Sequence, residues 1–391
     1  MHSDRIPRAS AAVLALSVAV SLSACSGSGD AGGSKGAAAR PAITVTPASG
    51  GQPVPVDRKV TVRVTSGRLD SVRVTAPGPG ALSGALASGK DGWTSTGHLA
   101  PGVTYDVVAR ATGDDGKALT QHVRFTTAEA DRTFVGEYHP DKGTTVGVGM
   151  PVSIVFNRPI RDRAAVERKL AVTASPAVDG SWSWMKDWSG RDRVDWRPRA
   201  FWKAGTEVTL RMNLDGVDAG GGVYGTQNRV VHFRIGHAVT TTVDTSRKTL
   251  TLSRDGKVVR TLPVSAGKPG YETWNGTMVV LEKTPGITMN SRTVRIFGPE
   301  AYNLKDVKWD VRLTTSGTFT HAAPWNDGKF GKVNGSHGCV GMSTADAKWF
   351  YEQVGIGDPV TVVHSTDTVQ LNNGYGAWNA DWDDWRAGSA L

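Results

Sequence analysis

The chain has 391 residues, 39% apolar, 7% aromatic and 21% charged, with a formal net charge of +9, 47 Gly, 19 Pro and 2 Cys. At about 100 to 200 residues per domain this length holds two to four domains with ample core, and so few cysteines exclude a disulfide-stapled mini-protein. The charged fraction argues against wholesale disorder, no apolar run reaches the roughly 18 residues of a membrane span, and the surplus of Val, Thr and Gly over Leu and Glu favours strands and turns.

Residues 1–25 open with Arg5 and Arg8, continue through an apolar run over 11–20, and close in Leu22-Ser23-Ala24-Cys25. Charge order and length are those of a secretory signal, and the closing tetrapeptide resembles a bacterial lipobox, which makes Cys25 the lipidation site. An ordinary cleaved signal with an incidental cysteine is the weaker alternative, and the separated arginines do not indicate a twin-arginine route. Residues 26–42, rich in Gly, Ser and Ala, form a flexible tether. Anchor and tether together place the rest of the chain on the outer face of a cell membrane, within reach of the wall, and stable anchoring rests on several acyl chains rather than one.

Over 43–127 the pattern is short alternating strands: Val60, Val62 and Val64, then Val72 and Val74, then a strand from Tyr105. Asp115-Gly116 between two such runs predicts a tight primed hairpin turn. This spacing predicts a small immunoglobulin-like sandwich. Residues 128–236 read as a second sandwich, with Val152, Ile154 and Phe156 and then Val208, Leu210 and Met212 in alternation. Trp182, Trp184, Trp188, Trp196 and Trp202 cluster there. They fit either a sugar-binding platform or, as is commoner in sandwiches, core and interface.

A third unit spans 237–364, followed by a Trp-rich tail over 365–391. Asp255-Gly256 predicts a hairpin. The one well-signalled helix covers about 345–354, with Ser343 and Asp346 as a capping-box-like start and Gly355 as its stop. The fold class is therefore mainly β: two sandwiches, then a β-rich domain with one main helix and a tail.

Four residues before that helix start lies Cys339, in Ser336-His337-Gly338-Cys339-Val340-Gly341, with His321 upstream. A free thiol is only a few per cent ionised at neutral pH. A neighbouring imidazole and a nearby helix N-terminus lower its pKa, and Gly338 lets a reacting carbonyl approach backbone N–H groups that hold an oxyanion. That is the equipment of an acyl-transferring cysteine. Two other readings stay open on composition: a small buried apolar residue, or half of a metal site with His321 and His364 as further ligands. A cysteine kept directly after His337-Gly338 favours catalysis over core filling.

His321, fifteen residues, then Ser336-His337-Gly338-Cys339 resembles the signature of the L,D-transpeptidases, the YkuD-type catalytic domain. Ser316-Gly317-Thr318-Phe319-Thr320-His321-Ala322-Ala323-Pro324-Trp325 is similar to the family's strand into the histidine. Gly298-Pro299-Glu300-Ala301-Tyr302 and Asp306-Val307-Lys308-Trp309 resemble its lid. The ending over 377–388 is similar to the tail of mycobacterial-type members, which also carry two immunoglobulin-like domains.

The resemblance implies a peptidoglycan cross-linking enzyme that needs no cofactor and no metal. Cys339 would be the nucleophile, attacking a tetrapeptide stem between its third residue and the terminal D-Ala. His321 would be the acid/base, oriented by the backbone carbonyl of Ala322, with His337 and Gly338 supporting the motif. Tyr302 with the Cys339 N–H would hold the oxyanion or substrate, Ser316 and Gly317 the donor stem, and Met289 the lid side. The thioester would pass to an amine of an acceptor stem, giving a 3→3 cross-link, and carbapenem-type β-lactams would acylate the cysteine. The tail tryptophans would clasp the catalytic domain. Gly341 stands where the family has Asn or Arg, and Thr315 where mycobacterial-type members often have an aromatic, so the acceptor channel is expected to differ. Rival functions are an L,D-carboxypeptidase, with water as acceptor, and a non-catalytic wall-binding lipoprotein. Nucleic-acid binding is disfavoured because Lys and Arg are spread rather than clustered.

Overall fold

The described residues are 40–77 and 80–391 of a computed structural model. Residues 1–39, with the signal segment, Cys25 and nearly all of the tether, lie outside them. The region from Pro41 to Leu391 forms one compact unit.

The first sandwich closes two four-stranded sheets on each other. One has the order Ala42–Thr46, Thr61–Thr65, Gly92–Ser95, Gly84–Leu86, and the other Gly80–Ala81, Gly67–Ala76, Thr104–Gly113, Ala118–Thr126. Along Thr104–Gly113 every second residue is buried, so Tyr105, Val107, Ala109 and Ala111 face Val60, Val62, Leu69 and Trp93 in the core. The Asp115-Gly116 turn differs from the tight primed form. Gly113 and Lys117 close a longer loop, with the Gly113 N–H on the Lys117 carbonyl at 2.9 Å, and the left-handed residue is Gly116 at φ 78°. A type I turn ending in a left-handed glycine is the other common hairpin solution.

The second sandwich pairs Gly136–His139, Val152–Phe156, Asp192–Pro198 and Gly180–Lys186 against Thr145–Val146, Asn228–Ile235, Glu207–Asn213 and Leu170–Ser175. The tryptophans here belong to packing: Trp182, Trp184, Trp196 and Trp202 are buried, Trp184 stacks on Phe156 at 5.5 Å, and only Trp188 of the five is exposed.

The third unit has a five-stranded sheet, Lys257–Pro263, Thr249–Arg254, Val239–Asp244, Pro359–Val363, Gly276–Val279, and a four-stranded one, Glu282–Asn290, Asn303–Arg312, Phe319–Ala322, Val340–Met342. The Asp255-Gly256 hairpin takes the primed form, with φ of 52° and 77°. The main helix runs Thr344–Gln353, its first turn capped by the Ser343 hydroxyl, which accepts from the Asp346 N–H at 3.1 Å. Ala347 and Phe350 pack onto Val311, Ala322, Val340 and Met342. Two further helices, Arg163–Glu167 and Trp382–Ala387, are too short to leave a periodic signal in sequence.

The tail corrects an expectation. Its tryptophans pack on the second sandwich, not on the catalytic unit. The Trp378 indole N–H donates to the Gly149 carbonyl at 2.7 Å and that of Trp385 to the Ser181 carbonyl at 2.9 Å. Arg197, on the sandwich strand Asp192–Pro198, draws them there: its guanidinium lies 4.9, 5.4 and 4.9 Å from the rings of Trp378, Trp382 and Trp385. The rest of the tail does pack on the catalytic unit: Val369 is buried in that unit's core, and Asn379 exchanges two hydrogen bonds with the Thr277 backbone at 2.7 and 2.8 Å.

Candidate active site

Register builds the site. The strand Phe319–Ala322 pairs in parallel with Val340–Met342, matching Thr320 to Val340 and His321 to Gly341, so Cys339 stands one residue outside its strand, level with Phe319. Side chains alternate across a sheet. Val340, Ala322 and Val311 turn to the helix-covered core, which sends His321 and Cys339 together to the other face, under the connection over 291–302 that forms the lid.

The His321 ring is buried, and its Nδ1 meets the Ala322 carbonyl at 2.8 Å. A carbonyl only accepts, so Nδ1 carries the proton and Nε2 is left with its lone pair, the form a base needs. Burial pulls the His321 pKa below its ordinary value and the Ala322 carbonyl opposes this. Cys339 is half-buried, with Sγ 3.8 Å from the Gly317 carbonyl. Its thiol is not held low as the motif suggested: burial pushes it up to about 11, partly countered by the Phe319 N–H and reinforced by the Asp310 charge. Three strand residues separate Cys339 from the helix cap at Ser343, four rises or roughly 13 Å at about 3.3 Å each, too far for the dipole to act at the sulfur. The resting pair is a neutral thiol beside a neutral imidazole.

Asp310 supplies the opposing charge and escaped the reading from sequence. It precedes Val311, the partner of Thr320, and is 1% exposed. Neither carboxylate oxygen makes a well-formed hydrogen bond among the described residues, and burial pushes its pKa to about 7, opposed by its own and the Ile287 N–H.

A cavity of about 260 Å³ opens in front of the pair, lined by Met289, Tyr302, His321, His337, Cys339 and Gly341 among others. Burial, with the Cys339 charge second, pushes the Tyr302 phenol to about 12, so it stays a donor. Gly338 takes φ 111°, a conformation for glycine, and the Ser336 hydroxyl closes the turn by accepting from the Gly338 N–H at 3.1 Å and donating to the Cys339 carbonyl. At Gly341 a Cβ would come within 3.0 Å of the Ala323 Cβ, so Ala323 fills the space in which a longer side chain would start.

Two expected residues are occupied elsewhere. The Ser316 N–H and hydroxyl are both bound by Asn373 of the tail at 2.8 Å, and Ser316 is not part of the cavity lining; of that pair only Gly317 reaches the sulfur. His337 lines the cavity but engages its Nε2 with Glu300 of the lid at 2.7 Å. His364, a ligand in the metal reading, pairs instead with Asp244 at 3.0 Å. Ala323, Trp325, Asn326 and Leu304 join the lining without having been singled out; the half-exposed Trp325, 5.9 Å from the His321 ring, sits in a motif that could have flagged it.

Comparison with known proteins bears on this geometry. The L,D-transpeptidase catalytic domain (YkuD) model matches residues 239–362, and a bacterial Ig domain model matches 51–218. L,D-transpeptidase 2 of Mycobacterium tuberculosis is 37% identical over 353 residues, covering 90% of this chain and 85% of that protein. The chain belongs to the L,D-transpeptidase family. L,D-transpeptidase 5 of the same organism is 34% identical over 357 residues, covering 90% and 77%. The structure of the LD transpeptidase LdtMt1 in complex with imipenem superposes with a TM-score of 0.51 at 32% identity, over 59% of this chain and 99% of that one. This transpeptidase combines the histidine-and-cysteine strand pair with a glycine at position 341 and a buried carboxyl at position 310.

Proposed function

We propose that this protein is a peptidoglycan L,D-transpeptidase that forms 3→3 cross-links through a thioester on Cys339. One observation carries the mechanism: His321, its Nδ1–H fixed on the Ala322 carbonyl, shares a cavity with Cys339. A donor stem entering the cavity displaces water from a thiol and an imidazole that are both neutral. The Cys339 proton passes to His321 Nε2 as Sγ attacks the carbonyl that precedes the terminal D-Ala. Negative charge develops on that carbonyl oxygen, and Tyr302 and the Cys339 N–H would donate to it. The tetrahedral adduct collapses, the C–N bond breaks, and His321 returns the proton to the departing D-Ala amine. The side-chain amine of an acceptor stem then attacks the thioester carbonyl and gives its proton to His321; the C–S bond breaks, and His321 passes that proton to the departing Cys339 sulfur. A neutral resting pair suits this order, because ion-pair formation is deferred until substrate has closed the site.

Gly341 and Ala323 leave the cavity wall beside His321 without a polar side chain, so acceptor selection there falls to backbone groups, Trp325 and Asn326. Imipenem, found with a relative, is expected to acylate Cys339. Lipidation at Cys25 would hold the enzyme on the outer face of the cell membrane, the tether and sandwiches extending it toward the wall.

Mass spectrometry of products from a purified tetrapeptide stem tests the reading. A cross-linked dimer with loss of D-Ala is expected, and Cys339→Ala should abolish it; tripeptide alone would make the enzyme a carboxypeptidase, and no imipenem adduct on intact Cys339 would make it a structural lipoprotein. Radiolabelled palmitate incorporation, lost in Cys25→Ala, checks the anchor.

A further inference from the structure

One carboxylate fastens the lid to the nucleophile's own loop. Glu300 sits in the short turn Gly298–Glu300 of the lid. Its Oε2 accepts from Lys268 Nζ at 2.6 Å and from His337 Nε2 at 2.7 Å. Lys268 is itself bound to that loop, its backbone N–H donating to the Ser336 carbonyl at 2.9 Å. The His337 ring is held from two sides, edge-on to Tyr271 with centroids 4.8 Å apart and tilted against Tyr302 at 5.2 Å. His337 and Tyr302 line the cavity beside Cys339, whereas Lys268 and Glu300 form no part of its lining.

Charge and exposure define what such a bridge can do. Hydrogen bonds between ionised partners are roughly twice as strong as neutral ones. The side chains are 41% exposed at Glu300, 29% at Lys268 and 22% at His337, so solvent screens them and the bridge adds little to global stability. It fixes geometry instead. A carboxylate accepting from Nε2 holds the His337 ring in one orientation, and that ring is the surface on which Tyr302, two residues beyond Glu300, rests.

We infer that Glu300 is a positioning residue: by bridging Lys268 to His337 it keeps the lid down on the Ser336–Cys339 turn and holds Tyr302 at the reacting carbonyl. The inference rests on the transpeptidase reading of the cavity. Because Glu300 does not line the cavity, its loss should slow acylation while leaving the non-covalent encounter nearly unchanged. A misplacement on the scale of 1 Å costs up to about 100-fold in rate.

The experiment is stopped-flow acylation of the full chain by imipenem, with saturation separating the encounter constant from the acylation rate constant, alongside thermal melting. Glu300→Ala should lower the rate constant roughly 10- to 100-fold, with the encounter constant within about threefold of wild type. Lys268→Met should reproduce the loss, the double variant should be no slower than either single, and Glu300→Gln, which keeps an acceptor oxygen, should recover part of the rate. Should Glu300→Ala fail to fold, Glu300→Gln and Lys268→Met carry the same test, both expected to be slower than wild type. Wild-type acylation with unchanged rate constants in the variants, or losses that add in the double variant, would overturn the role of Glu300 alone. Folded wild type that takes no imipenem would overturn the functional reading beneath it.

Discussion

Two of the places where this molecule buries charge treat it oppositely. Under the tail, Arg193 and Asp195 face each other in a paired fork, the Arg193 Nη1 donates to the Gly374 carbonyl at 2.8 Å, and the Tyr375 ring covers the guanidinium at 5.1 Å. Arg197 beside them gives its Nη2 to the Ala380 carbonyl at 2.8 Å, beneath three indoles, and only its Nε lacks an acceptor among the described residues. On the active-site face, Asp310 is as deeply buried and has no counter-charge at hydrogen-bond distance. Charges that hold parts together are met by a carboxylate, by carbonyls or by aromatic rings; the carboxyl near Cys339 is left unanswered and opposes ionisation of the thiol. The strand Asp192–Pro198 shows what the answered set is for. All seven of its residues are buried, whereas Thr104–Gly113 of the first sandwich alternates, so the second sandwich is covered on both faces and is structurally part of the enzyme.

Removing the tail after Thr366 would break this contrast most severely. It uncovers Arg193, Asp195 and Arg197 together and removes the fully buried Trp385. A buried Trp alone is worth about 3 to 5 kcal/mol, so the truncated chain should melt far lower or fail to fold by calorimetry. An unchanged melting temperature would refute the seam. Asp195→Ala should cost about 3 to 5 kcal/mol by stranding Arg193, and adding Arg193→Met should restore much of the loss, since a removed pair is cheaper than a broken one.

At the unanswered site the sign reverses. The Asp310 carboxyl is raised from 3.8 to about 7 in the fold, so the folded state binds the proton more tightly than the unfolded chain. Its cost is absent below about pH 4, grows as pH rises toward 7, and is complete above it. Asp310→Asn should therefore stabilise by at most about 4 kcal/mol at pH 8 and by almost nothing at pH 4. The same variant should move iodoacetamide alkylation of Cys339 to lower pH, because one of the groups raising the thiol is gone. A melting difference independent of pH would dismiss Asp310 as a buried charge. Deleting residues 41–127 sets the lower end: activity on soluble stems should stay within about twofold of wild type, which is noise for a factor worth ~0.4 kcal/mol. A large loss would give the first sandwich a share in the site.

Sequence made local rules legible. Alternation located Val152–Phe156, a serine cap located the helix at Ser343, and the Ser-His-Gly-Cys turn located the cysteine that lines the cavity. What it hid is set by contacts far apart in the chain. Arg197 meets Ala380 across 183 residues and Ser316 meets Asn373 across 57, and no periodicity announces either. The thiol was misjudged for a related reason. His337 and the helix N-terminus are visible close to Cys339 in sequence, but burial and an opposing carboxyl from another strand raise its pKa, and both appear only once the sheet is assembled.

Orientation of the His321 ring comes from the Ala322 carbonyl, a main-chain atom. Every amino acid carries that oxygen, so codon changes at position 322 cannot delete the group that sets the tautomer. An inhibitor that depends on the lone pair of His321 is thus shielded from the simplest route of escape, and mutational resistance must arise instead in the lid, at Gly341, or in the shape of the entry to Cys339.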